Sequence, residues 1–109
     1  MPQPYERVVE LEYPWDAVFE TAQRAIERMP RMILLAADRS TGRIAVMRAF
    51  TAMIHAVTIV IDVGHVAPVR TRVRVWAAVA ALQDFLGFNR RIVNKVIAAI
   101  EEGLAGGER

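Results

Sequence analysis

His55, Asp62 and His65 carry the side chains of this sequence that could bind a metal or shuttle a proton. Residues an odd number apart on an extended strand point to opposite faces, so His55 and Asp62 cannot share an ion there. His65 falls in the run GHVAP, which reads as a turn. No histidine or carboxylate stands at the spacing of a two-histidine metal site, so no metal is expected and both histidines are expected to be structural or solvated. Ser40 is the only serine and sits in DRSTG without the glycine elbow of a nucleophile. Thr21, Thr41, Thr51, Thr58 and Thr71 have no partner base visible in the sequence, and neither GxGxxG nor a P-loop occurs. The chain is therefore expected not to be an enzyme and to need no cofactor.

Two basic features remain. Arg70, Arg72 and Arg74 alternate ahead of Trp76, an arrangement that could hold phosphates beside a stacking ring. Alternate exposed arginines also solvate a strand, and the acidic residues Glu10 and Glu12 can pair with them from a neighbouring strand. The expectation is solvation rather than nucleic-acid binding. Asn89, Arg90 and Arg91 open the last helix, where cations oppose the helix dipole by about 0.3–1 kcal/mol each when exposed. They form a possible anion site, for which an external phosphate or carboxylate competes with the nearby Asp84. Asn89 itself is a plausible helix cap.

The elements that must position these groups follow from apolar periodicity. YERVVELEY, residues 5–13, sets Val9, Leu11 and Tyr13 against Val8, Glu10 and Glu12, the alternation of a strand with one wet face. After Pro14 the spacing of Trp15, Val18, Phe19, Ala22, Ile26 and Met29 is that of a helix ended by Pro30. Glu20 and Arg24 stand four apart in the favourable order. RMILLAAD and RIAVMRAF flank the turn residues DRSTG and predict a hairpin over residues 31–50. IHAVTIVIDV, residues 54–63, and VRTRVRVW predict two more strands joined at GHVAP. In the last of these Val69, Thr71, Val73 and Val75 share one face, with Arg70, Arg72, Arg74 and Trp76 on the other.

Residues 77–86 fit a helix, a loop or a prolonged strand equally well. Ile92, Val96, Ile100 and Leu104 then mark a terminal helix that frays at Gly103. The order predicts a single α+β domain over residues 1–109: a roll, β-α-β-β-β-β-α, with two helices on one face of a curved antiparallel sheet.

From Met29 onward, MPRM, AADRSTGRIAV, VRTRVRV and the series Asp84, Gly87, Asn89, Arg90, Arg91 and Ile92 resemble a family of bacterial domains known as domain of unknown function 1499. The resemblance covers most of residues 14–104 and implies no catalytic residues, because the family is uncharacterised. Its members continue the last strand into a polar Arg-Ser-x-Ser-Arg segment, whereas this chain has WAAVA at residues 76–80. An Asp-rich stretch near the fourth strand is likewise replaced by AMIHAV. If those polar residues serve a ligand in the family, the departures imply that this chain has lost or changed it.

Composition sharpens the functional expectation. Hydrophobic residues make up 54% of the chain, against roughly 45–50% in soluble domains. A domain of this size buries roughly two thirds of its extended surface, so part of the surplus should meet another subunit or line a cavity. Trp76, Leu82, Phe85, Leu86 and Phe88 have no obvious place in a two-layer core and are the candidate interface or ligand-binding residues. The net charge is +2, yet residues 1–29 hold three cations and six anions while residues 30–95 hold ten cations and three anions. No cysteine occurs, which excludes disulfides and thiolate metal sites. The first residues lack the pattern of a signal peptide, and no apolar run reaches the roughly 18 residues of a membrane span, so a cytoplasmic location is expected. The leading expectation is a non-enzymatic domain that self-associates as a homo-oligomer through residues 76–88. The alternative is a binder or carrier of an apolar or amphipathic small molecule in a cavity between sheet and helices.

Overall fold

The computed structural model describes residues 4–49, 56–79 and 87–106. In chain order these form β1 (Tyr5–Leu11), α1 (Trp15–Arg28), β2 (Met32–Asp38), β3 (Arg43–Ala49), β4 (Ala56–Ala67), β5 (Arg70–Val79) and α2 (Phe88–Gly106). The α+β roll expected from the sequence is the fold observed. All strand pairs are antiparallel, and the five-stranded sheet has the order β1-β5-β4-β3-β2, so β1 and β2 are its edges.

Strand alternation divides the sheet into two faces. The inner face carries Ile44 and Val46 from β3, Val57, Ile59, Ile61 and Val63 from β4, and Val73, Val75 and Ala77 from β5, all buried. Both helices cover it. From α1 come Val18, Phe19, Ala22 and Ile26, and from α2 Ile92, Val93, Val96, Ile97, Ile100 and Leu104. Each large apolar side chain in this layer stabilises the fold by about 1.5–3 kcal/mol. The stripe of α1 is thus core. Thr71, fully buried on the same face, donates its hydroxyl to the Tyr13 carbonyl at 2.7 Å, which satisfies an otherwise costly polar group.

The outer face is ionic near β1. Arg72 pairs with Glu10 at 3.0 Å and Arg74 pairs with Glu6, and further across the sheet Arg43 of β3 pairs with Asp62 of β4 at 2.9 Å. Arg72 and Arg74 therefore face water and meet β1, with Glu6 in place of Glu12, while Arg70 lies beyond the β1 register. The hydrogen bond to Asp62 holds the Arg43 guanidinium above its ordinary pKa. Towards the Ile33 and Met47 ends of β2 and β3 the same face turns apolar.

Several boundaries differ from the sequence reading. β4 runs through His65 to Ala67 and the turn tightens to Pro68 and Val69, so His65 is a strand residue. β5 continues through Ala77 to Val79, the strand alternative for that segment. Residues 80–86, with Leu82, Asp84, Phe85 and Leu86, lie outside the described residues, as does His55. Helix α2 begins at Phe88, after Gly87 with φ +68°. Asn89 is consequently a buried residue of the first turn and not its cap. The helix does not fray at Gly103. A Cβ there would come within 2.6 Å of Thr21 Cγ2, so the absent side chain lets α2 lie close against α1. Glu20 reaches Arg39 at 3.6 Å, across the β2–β3 turn, rather than Arg24.

Candidate functional site

The two ends of helix α1 have different surroundings. At the first turn Trp15 donates its indole N–H to the Val63 carbonyl at 2.9 Å. Its ring stacks on Phe19 and on His65, each with centroids 5.0 Å apart. Arg39 lies over both Trp15 and Phe19 and bonds Asp16 at 2.7 Å. This end is filled, and His65 serves it as a stacking partner.

At the other end α1 stops at Met29 and Pro30, and β2 begins at Met32 opposite Arg48 in the register. The strand ends Ala49, Ala56 and Val79 lie at this same end, as does the first turn of α2. Between them opens a mouth of about 170 Å³. Its apolar lining is Met29, Pro30, Met32, Phe88 and Ile92, and its cations are Arg48, Arg91 and Lys95. The Arg91 guanidinium lies 5.0 Å from the centre of the Phe88 ring. No carboxylate lines the opening among the described residues. Arg48 is unexpected in this position. It continues the inward row Ile44, Val46, and so sets a charge at the end of a core-facing strand.

The mouth is shallow. Further along the sheet, Val9, Leu11, Val73, Ile97 and Ile100 meet without room for a water molecule. A ligand entering at Met32 therefore cannot run the length of the helix layer in this conformation. Methionine side chains yield readily, and two of them guard the opening. A larger groove of about 560 Å³ lies between the outward sides of α1 and α2, bounded by Arg24, Arg28 and Glu102. Its lining mixes apolar and polar surface more evenly than the mouth does and includes the Glu102 carboxylate, a poorer setting for the apolar end and anionic head of an amphiphile.

The structure separates the residues singled out in the sequence. Phe88 and Arg91 line the mouth, and Asn89 is buried in the turn between them. Arg90 is exposed on the same turn. Trp76 is elsewhere: it stands half-buried on the outer face of the sheet, beside Val60, Arg74 and Asp62. Met29, Met32, Arg48 and Lys95 were not singled out by residue chemistry. Their signal was the paired methionines around Pro30 and an arginine breaking the apolar alternation of β3, and only the strand register brings them together. Among the described residues no three histidine, cysteine, aspartate or glutamate side chains gather to hold a metal, and no helix is long and apolar enough to cross a membrane.

No family model matches the sequence, and no curated protein matches it. Solved structures do match the fold. A norcoclaurine synthase point mutant from Thalictrum flavum, in complex with a transition-state analogue, superposes with a TM-score of 0.71 at 7% identity, over 100% of this chain and 98% of that one. A START superfamily protein from Mycobacterium smegmatis matches with a TM-score of 0.54 at 8% identity, over 94% of this chain and 97% of that one. The di-domain ARO/CYC BexL of the BE-7585A biosynthetic pathway gives 0.58 at 16% identity, over 94% of this chain and 44% of that one. At such identities the likeness is one of fold: a curved antiparallel sheet closed by a long C-terminal helix, the START-like helix-grip architecture.

Proposed function

We propose that this chain binds an amphipathic small molecule with an anionic head, inserting its apolar end at the mouth between β2 and the first turn of α2. The observation that carries the reading is the composition of that mouth, in which methionine, phenylalanine and isoleucine side chains form the throat and three cations the rim. Apolar burial would supply affinity and the cations orientation. A shared fold with a synthase that holds a transition-state analogue supports a small-molecule role. Binding without turnover, location in the cytoplasm and membership of the domain of unknown function 1499 family are parts of the same proposal.

Native mass spectrometry of freshly purified protein, followed by titration with a long-chain fatty acid and its methyl ester, tests this. The acid is expected to bind about tenfold more tightly than the ester, a difference of about 1.4 kcal/mol. Lys95→Glu should remove that preference and leave ester binding unchanged. Absence of a copurified species together with no binding of either compound would sink the reading.

A second reading, self-association, has its own support on the outer face of the sheet. There Met47, Ala45, Val60 and Trp76 are half-buried and Ile33 and Leu35 are exposed, an apolar field on the side away from the helices. Light scattering across a micromolar concentration series checks it, and a constant monomer mass would remove it.

A further inference from the structure

The two edges of the sheet are protected very differently. β1 presents Glu6, Arg7 and Glu10 along its length, and such charges discourage a second strand from adding. β2 carries Met32, Ile33, Leu34, Leu35, Ala36 and Ala37 with neither charge nor proline before Asp38. Ile33 and Leu35 are 44% and 57% exposed. One side of β2 pairs with β3, and no described strand pairs with the other. A row of backbone N–H and C=O groups beside uncharged side chains is a template for another strand.

The strand is also complementary to itself. Arg31 and Asp38 flank it, and Arg31 makes no ion pair among the described residues. An antiparallel pair of β2 strands about a two-fold axis can bring Arg31 of each copy opposite Asp38 of the other. That register sets Met32 opposite Ala37 and Ile33 opposite Ala36. An ordinary strand would then mismatch its faces, because the paired numbers differ by an odd count. β2 is not ordinary: its register with β3 shifts between Leu34 and Ala36, which inserts one residue. The bulge restores the match, with Met32 and Ala37 both on the inner face and Ile33 and Ala36 both on the outer one.

Resting on the reading that the chain self-associates, we propose that it does so by pairing β2 with β2 of a second copy, with Leu34 and Leu35 flanking the two-fold axis and Arg31–Asp38 pairs closing both ends. The product is a continuous ten-stranded sheet, twice the five strands of one copy. Pairing of this kind is isologous and closed, so it yields a dimer and not a filament. The apolar outer field of each copy then abuts its twin.

Sedimentation of wild type, Leu35→Lys, Arg31→Asp and Asp38→Arg provides the test, with circular dichroism confirming the fold of each. Leu35 is exposed in one copy, so lysine there should leave the monomer intact while raising the dimer Kd more than about tenfold. Arg31→Asp and Asp38→Arg should each weaken the dimer by about three- to tenfold, and their equimolar mixture should recover it, because both ends then hold an opposite-charge pair. A wild-type mass that stays monomeric overturns both the edge and self-association. A dimer that survives Leu35→Lys and both charge changes overturns the edge alone, and dissociation by Trp76→Lys would then move the contact to the outer face.

Discussion

Helix α1 is fastened at its first turn by an indole hydrogen bond, a three-ring stack and an arginine bridge, whereas its last turn ends in Met29 and Pro30 beside an opening of about 170 Å³ rimmed by cations. Both ends belong to one amphipathic helix over one sheet, so local propensity does not separate them. The difference lies in what the neighbouring turns bring. The β2–β3 turn brings Arg39 and Gly42 onto Trp15, while the opposite end receives strand termini and the cation-rich start of α2. A fold of this kind can hold its layers together at one end and leave the other adaptable. Stability should therefore be concentrated around Trp15 and binding around Met32.

The sharpest way to break that contrast is at Gly42. Its φ of +78° already disfavours any other residue, and a Cβ would stand 2.2 Å from the Val63 carbonyl oxygen. The Gly42 carbonyl also accepts from Val63 N–H at 2.8 Å, so the turn cannot retreat without breaking a bond. Gly42→Ala is expected to destabilise the protein by about 3 kcal/mol or more, read from urea denaturation. A cost below about 1 kcal/mol would mean that this end is not the rigid one.

Trp15→Ala comes next. It removes a partly buried ring with two stacking partners and leaves the Val63 carbonyl without its indole donor. The expected loss is about 2–3 kcal/mol, below the 3–5 kcal/mol of a fully buried aromatic. Met32→Ala at the mouth should cost only about 1 kcal/mol, since the side chain is half-buried and borders open space. The pair is a direct comparison of the two ends by thermal unfolding. Equal costs would erase the distinction, and a large loss of amphiphile binding in Met32→Ala with wild-type binding in Trp15→Ala would sharpen it.

Much of this was legible in the residues. The 3.6-residue spacing of Val18, Phe19, Ala22 and Ile26 marked α1, and alternation marked each strand and assigned Arg72 and Arg74 to water. Those signals are local, and local periodicity is what a helix or strand imposes. The sites were less legible because they arise from register. Trp15 offered no hint that its ring would meet His65 and Arg39, which are 50 and 24 residues away in the sequence. Arg48 became a rim residue only when β3 was laid beside Met32. Gly103 resembled a helix-ending signal, yet the close approach of Thr21 gives it another purpose. Trp76 was grouped with Phe88 by bulk, and strand parity placed the two on opposite sides of the sheet.

The smallest effect expected lies at the fastened end and concerns acid. Asp38, at the close of β2, accepts from the Ser40 hydroxyl at 2.6 Å and from the Ser40 N–H at 2.9 Å. The hydroxyl first, then the backbone N–H, hold its carboxyl below the ordinary 3.8. A carboxylate whose pKa is lower in the folded state contributes stability that is present above the unfolded value and disappears as pH falls through the folded one. The contribution is therefore whole at neutral pH and is lost below 3.8. Ser40→Ala removes the largest cause and brings the folded pKa back toward the unfolded one. The variant should show a slightly lower Tm than wild type at neutral pH, and the gap should narrow as the pH drops through that window. A Tm difference that stays constant down to the acid limit would separate the turn's stability from the charge on Asp38. The same titration repeated with Met32→Ala should show no such narrowing, since no carboxylate borders the described mouth.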